Sequence, residues 1–166
     1  MKSAGRMLPS RVFDSRPWER YSGLQRVNQI LTVPRSVGSL REITMIPTKL
    51  LLVDDEEEFV TALAERLRIR KYDVRVVTSG ESALLAIDEE RPDIVLLDLK
   101  MPGMDGMETL KRIKATDPSI HVFMVTGSVD ALAGKQSLKA GATFHMVKPF
   151  DIETLCANIR ETPLPR

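Results

Sequence analysis

The sequence predicts an α/β domain built on a parallel sheet with helices on both faces. Three observations lead there. From Lys49 onward, five short apolar runs alternate with five segments of helical period. The runs show little polar alternation, as expected of strands covered on both sides. Residues suited to helix ends, such as Ser79, Gly141 and Asp151, fall at the junctions.

Each element follows from its residues. "KLLLV" from Lys49 has strand length and no polar interior. "EEFVTALAERLRIR" sets Phe59, Leu63, Leu67 and Ile69 on one helical stripe. "YDVRVVTS" reads as the second strand, after which Ser79 caps the helix "GESALLAIDEE". "PDIVLLD" is the third strand, and "DGMETLKRIKAT" is a helix with Leu110 and Ile113 inward. "HVFMVT" is the fourth strand, followed by the helix "VDALAGKQSLKAG", which Gly141 terminates. "TFHMV" is the fifth strand. The last helix, "DIETLCANIR", is capped by Asp151 and followed by Pro163.

In open α/β sheets the site lies beyond the carboxyl ends of the strands. Those ends carry a consistent chemistry. The first strand runs into Asp54 and Asp55, the third ends on Asp98, the fourth on Thr126, and the fifth on Lys148-Pro149. If the first and third strands are neighbours, three carboxylates converge and resist ionising together unless a cation is present. A hard divalent cation with oxygen ligands resolves this, and Mg²⁺ is the natural candidate. Each residue alone has a bland explanation: a strand-end Asp forms turns or caps helices, and a lone Lys is solvated. The conjunction is what those explanations leave out.

Composition narrows the setting. The chain has 166 residues, 43% of them hydrophobic, with a formal net charge of +1. That sum conceals an asymmetry, since residues 1–47 hold eight Lys/Arg against three Asp/Glu. The segment reads as a basic extension, disordered or weakly helical, with Trp18, Tyr21, Leu24, Val27 and Ile30 spaced three apart. Met45 stands just before the first strand, where a start codon would fit. A single cysteine, Cys156, excludes a disulfide within the chain. No apolar run approaches the ~18 residues of a membrane helix, and a cytoplasmic setting is expected. The predicted organisation is an extension over 1–47, one domain over 48–162, and a tail over 163–166.

The motifs "LLVDDEEEF", "PDIVLLDLKMPGMDGMETL", "VTGS" and "VKPF" resemble the response-regulator receiver domain of two-component signalling. The match runs in order through residues 48–161. It implies a flavodoxin-like (βα)5 doubly wound fold with strand order 2-1-3-4-5. It also implies that Asp98 accepts a phosphoryl group from a sensor histidine kinase or histidine phosphotransfer protein. Asp55, Asp98 and the backbone carbonyl of Lys100 would hold Mg²⁺, with Asp54 acting through a metal-bound water. Lys148 and Thr126 would contact the phosphoryl oxygens, and Thr126 would begin the switch. Pro102 and Gly103 would shape the loop presenting Lys100, and Gly106 would let the chain turn into the third helix, near Asp105. Lys148–Pro149 would be cis, as in the family. Output would be docking on a downstream protein or onward phosphotransfer, with transient homodimerisation on phosphorylation as a further option. After the last helix only a few residues remain, so a receiver standing alone is expected, without direct nucleic-acid binding.

The sequence departs from the family's pattern at some places. His145 stands where the family has Tyr or Phe; it is either a switch residue or a half-exposed strand histidine. Lys100 and Ser128 flank the expected route of attacking water, and Lys100 could equally extend into solvent. Met101 and Met104 are expected to fill the loop, with Met107 in the packing of the third helix. A haloacid-dehalogenase-like phosphatase also places a nucleophilic Asp at a strand end, but it needs a second acid where this chain has Lys100. A pseudo-receiver would lack one of the acids, the lysine or the hydroxyl. A flavin site would need a phosphate loop where "DDEEE" repels phosphate.

Overall fold

The computed structural model describes residues 47–127 and 131–164. The expectations for residues 1–46, including Trp18, Tyr21 and Met45, and for Ser128 lie outside the described residues. The elements run β1 (Lys49–Val53), α1 (Glu57–Ile69), β2 (Asp73–Val77), α2 (Gly80–Glu89), β3 (Ile94–Asp98), α3 (Gly106–Thr116), β4 (His121–Thr126), α4 (Ala131–Lys139), β5 (Phe144–Val147) and α5 (Ile152–Glu161). The five strands form one parallel sheet in the order β2-β1-β3-β4-β5. This is the doubly wound, flavodoxin-like arrangement the resemblance implies.

The apolar runs form a sheet because the central strands β1, β3 and β4 bury both faces, while β2 and β5 at the edges are only partly covered. Alternate residues of β1 go to opposite sides: Leu50 and Leu52 join α1 and α5, whereas Leu51 and Val53 join α2 and α3. β3 divides in the same way, with Ile94 and Leu96 on the first side and Val95 and Leu97 on the second. Burial of ordinary aliphatic side chains at about 25 cal/mol per Å² supplies the main driving force.

The helices end where their residues dictate. Ser79 accepts the Ser82 N–H, Asp105 accepts that of Glu108, and Asp151 accepts that of Thr154. α1 lacks such a cap; its first turn carries Glu57 and Glu58, and its last carries Arg66 and Arg68, complementing the helix dipole. Gly141, at φ +101°, stops α4 as its left-handed conformation requires. Leu110 and Ile113 are fully buried on α3, as expected.

One side chain of the predicted stripe goes elsewhere. Ile69 is 75% exposed, and the buried face of α1 is Val60, Leu63, Ala64 and Leu67. Two residues past Leu67 is about 200° around the helix, so Ile69 turns away from the core.

Candidate functional site

The chain reverses its winding direction between β1 and β3, which are neighbours in the sheet. Their carboxyl ends carry Asp54 and Asp98, so the topology brings the two acids to the crevice where such sheets bind ligands. Parity decides which way they face. Asp54 lies two residues past Leu52, Asp98 two past Leu96, and Lys148 two past Met146, and those three core residues all face α1 and α5. With a side-chain period of two, all three functional groups meet on that side. Thr126 shares its parity with Met124, which faces the other layer.

The contacts agree. Lys148 Nζ lies 2.6 Å from Asp54 Oδ2, 3.1 Å from Asp98 Oδ1 and 2.8 Å from Glu56 Oε1. The ammonium also sits 4.4 Å from the centre of the Phe59 ring, which packs edge-on against Phe150. Asp54 and Asp98 are buried, and they border a small cleft lined also by Phe59, Leu96, Val125 and Phe150. Asp98 Oδ2 accepts the Lys100 N–H at 2.7 Å, and Asp54 Oδ1 accepts the Glu56 N–H at 3.0 Å.

These surroundings set the acid–base character. Burial pushes Asp98 above the ordinary carboxylate range, against the Lys100 N–H and the Lys148 ammonium, which pull it down; neighbouring Asp54 pushes it up further. Burial alone would depress Lys148, but its hydrogen bonds to Asp54 and Glu56, with the charge of Asp54, raise it well above its ordinary value. The lysine is therefore a fixed cation under all ordinary conditions.

The remaining predicted residues take distinct places. Asp55 is exposed on the β1–α1 loop, and Lys100 is exposed beyond β3. Thr126 is buried at the end of β4, and its carbonyl accepts the Lys148 N–H at 2.7 Å. The Lys148–Pro149 peptide is cis. Pro102 and Gly103 are exposed on the β3–α3 loop, and Gly103 takes φ +76°. Gly106 starts α3, and close backbone approach is what requires a glycine there. A Cβ there would meet the Asp98 carbonyl oxygen at 2.1 Å and Leu99 Cα at 2.8 Å. Met101 is buried with the α2/α3 layer, and Met107 packs at its edge. His145 is half-buried beside Gly134 of α4, and its Nε2 is a buried nitrogen with no hydrogen-bond partner among the described residues.

Sequence reasoning did not single out Glu56 or the ring of Phe59 beside Lys148. Glu56 is one of three consecutive glutamates, and spacing does not distinguish it from Glu57 or Glu58. The contact depends on a side chain 92 residues away.

Among the described residues, no group of three or more His, Cys, Asp or Glu side chains is spaced to hold a metal by itself. The donor set nonetheless suits Mg²⁺. Two adjacent buried carboxylates offer hard oxygen ligands, and Mg²⁺ characteristically takes one or two carboxylates and keeps water for its other positions.

Comparisons with known proteins place a domain with this fold and crevice in a family. The model of the response regulator receiver domain family matches residues 50–160. The chain belongs to that family. It is 41% identical over 113 residues to sporulation initiation phosphotransferase F of Bacillus subtilis, covering 67% of this chain and 90% of that protein. It is 32% identical over 134 residues to the transcriptional regulatory protein TrcR of Mycobacterium tuberculosis, covering 81% of this chain but only 49% of that protein. Among solved structures, a CheY-like receiver domain protein from Methanospirillum hungatei superposes with a TM-score of 0.67 at 28% identity, over 70% of this chain and 93% of that one. The BeF3-activated DrrB receiver domain superposes with a TM-score of 0.64 at 30% identity, over 69% of this chain and 96% of that one.

Proposed function

We propose that this domain is the phosphoacceptor of a two-component relay, with Asp98 as the acceptor and Mg²⁺ as the required cation. The observation that carries the reading is the single ammonium of Lys148 held between two buried carboxylates at the strand switch point. An Asp98 carboxylate oxygen attacks the phosphorus of a phosphohistidine, the N–P bond breaks, and the electron pair leaves with the imidazole. The product is an acyl phosphate on Asp98. Bound Mg²⁺ supplies charge neutralisation for the equatorial phosphoryl oxygens. Asp55, Asp98 and the Lys100 carbonyl are the residues that would hold it, with Asp54 acting through a metal-bound water.

Lys148 changes partner in this reading. It starts on Asp54, Glu56 and Asp98, and it pairs with the phosphoryl oxygens once about two negative charges arrive. Thr126 donates its hydroxyl to the same group. His145 then responds from β5, where its register partner on β4 is Met124, two residues before Thr126. The partners are a sensor histidine kinase or a histidine phosphotransfer protein upstream and a docking protein downstream, and the setting is cytoplasmic. No helix among the described residues is long and apolar enough to cross a membrane.

The test is phosphorylation with acetyl phosphate and Mg²⁺, read as an added phosphoryl mass on the intact protein. Wild type gains the mass. Asp98→Asn does not, and chelating Mg²⁺ suppresses the gain in wild type. An undiminished adduct in Asp98→Asn sinks the assignment.

A further inference from the structure

We propose that Glu81, in the first turn of α2, is a positioning residue that holds the β3–α3 loop so that the Lys100 carbonyl faces the divalent cation. The inference rests on the phosphoacceptor reading above and adds a residue from another element to it. Glu81 Oε1 accepts the Met104 N–H at 3.2 Å, across 23 residues of sequence. Gly103 lies against the same carboxylate, since a Cβ on it would stand 3.3 Å from Oε1 and 3.8 Å from Oε2. At φ +76°, Gly103 turns the loop toward Glu81 in a conformation that other residues rarely adopt.

The neighbouring residue fixes how near α2 comes. A Cβ on Gly80 would meet Thr109 Oγ1 at 2.3 Å and the Met104 carbonyl oxygen at 2.9 Å. The first turn of α2 is thus pressed against both the loop and α3. Thr109 Oγ1 in turn donates to the Asp105 carbonyl at 2.8 Å. At the loop's start, Lys100 N–H is tied to Asp98 Oδ2, and at its end Gly106 N–H is tied to the Leu99 carbonyl. Glu81 supplies the tie to its middle.

Glu81 is not needed as a cap. Ser79 already accepts the Ser82 N–H at the start of α2. A glutamate near a helix N-terminus is ordinarily a solvated dipole partner. Here the carboxylate is aimed at the one loop that must present a backbone carbonyl to the metal. Groups that orient a metal's direct ligands influence affinity without touching the metal.

The experiment uses the full chain with Glu81→Ala and Glu81→Gln. Mg²⁺ affinity is measured by calorimetry, and the rate of phosphorylation by acetyl phosphate is followed against Mg²⁺ by intact mass. Glu81→Ala is expected to weaken Mg²⁺ binding about tenfold, the low end for such outer partners. Its rate should return to that of wild type at saturating Mg²⁺. Glu81→Gln keeps an oxygen that accepts the Met104 N–H and should restore affinity. Unchanged Mg²⁺ affinity in Glu81→Ala overturns the proposal, as does a Glu81→Gln as weak as Glu81→Ala. Wild type that labels on Asp98 and binds Mg²⁺ beside an unaffected Glu81→Ala overturns the role of Glu81 alone. Wild type that binds no Mg²⁺ overturns both readings.

Discussion

Removing the Lys148 ammonium should cost the fold more than any other charge deletion at the site. In Lys148→Ala the carboxylates of Asp54 and Asp98 stay where the strands put them, with side chains only 6% and 7% exposed. At an effective dielectric of about 20, a pair near 3 Å interacts by about 5 kcal/mol, part of which offsets desolvation. Breaking a buried pair by deleting one partner typically costs about 3–5 kcal/mol, because the remaining charge is uncompensated. Glu56 adds little, since its side chain is 65% exposed. A loss of about 3 kcal/mol without Mg²⁺ is therefore expected, or about 12 °C in thermal midpoint for a domain of this size. Mg²⁺ at about 100 times its dissociation constant should return about 2.7 kcal/mol. Acid should return part of it as well. With the ammonium gone, the already raised pKa of Asp98 rises further. The folded variant then holds a proton that the unfolded chain has released, so stability falls as pH rises through that folded pKa and is regained below it. Thermal melts from pH 4 to 8, with and without Mg²⁺, check this. Adding Asp98→Asn to Lys148→Ala should recover part of the loss. A midpoint within about 2 °C of wild type at pH 7 without Mg²⁺ would refute the claim that the lysine compensates buried charge.

Two further outcomes test the geometry. Gly106→Ala should destabilise by about 3 kcal/mol or more in chemical denaturation, since its Cβ would collide with backbone at Asp98 and Leu99. Gly127→Ala, where an added Cβ would meet none of the described residues beyond its chain neighbours within 4 Å, should stay within about 0.5 kcal/mol of wild type. Asp117, held down to about 2 by the Ser119 hydroxyl and then by Arg91, should titrate there by carboxyl NMR. Its depressed pKa supports the fold above the ordinary carboxylate range, and that support is lost as pH falls toward about 2. Ser119→Ala should move the titration upward; an unmoved midpoint would show that the hydroxyl is not its main cause.

The fold was legible because the central strands β1, β3 and β4 are short apolar runs that bury both faces, a pattern few other architectures permit. Ser79, Gly141 and Asp151 end their helices as their chemistry suggests. Ile69 was misread because an apolar residue off the stripe looks like one on it until its angular position is counted. In the site, Asp54, Asp98, Thr126 and Lys148 were legible because strand ends in such sheets form the crevice. Glu56, Phe59 and Glu81 were not. Each acts through a tertiary contact made by a side chain with several rotamers, on a helix or loop where charged and aromatic residues are ordinary. Gly106 was recognised as the residue that lets the chain turn into α3, but sequence does not show that the backbone of Asp98 and Leu99 is the neighbour that demands a glycine.

The position of the lysine follows from counting. Asp54, Asp98 and Lys148 each lie an even number of residues from a core side chain on the α1/α5 side, namely Leu52, Leu96 and Met146. The hydrophobic pattern that sets register in the sheet therefore also aims the charges. A slip of one residue in β3 would move Leu96 to the opposite layer and turn Asp98 away from Lys148. The apolar strands and the charged crevice are thus one specification. Burial of Leu52, Leu96 and Met146 holds the acids and the lysine on one face. The mutual attraction of those charges, 2.6 Å and 3.1 Å from the ammonium, opposes the same slip from the other end. Burial of Leu52, Leu96 and Met146 does not depend on the charge of the crevice, so the register they set persists when that charge changes.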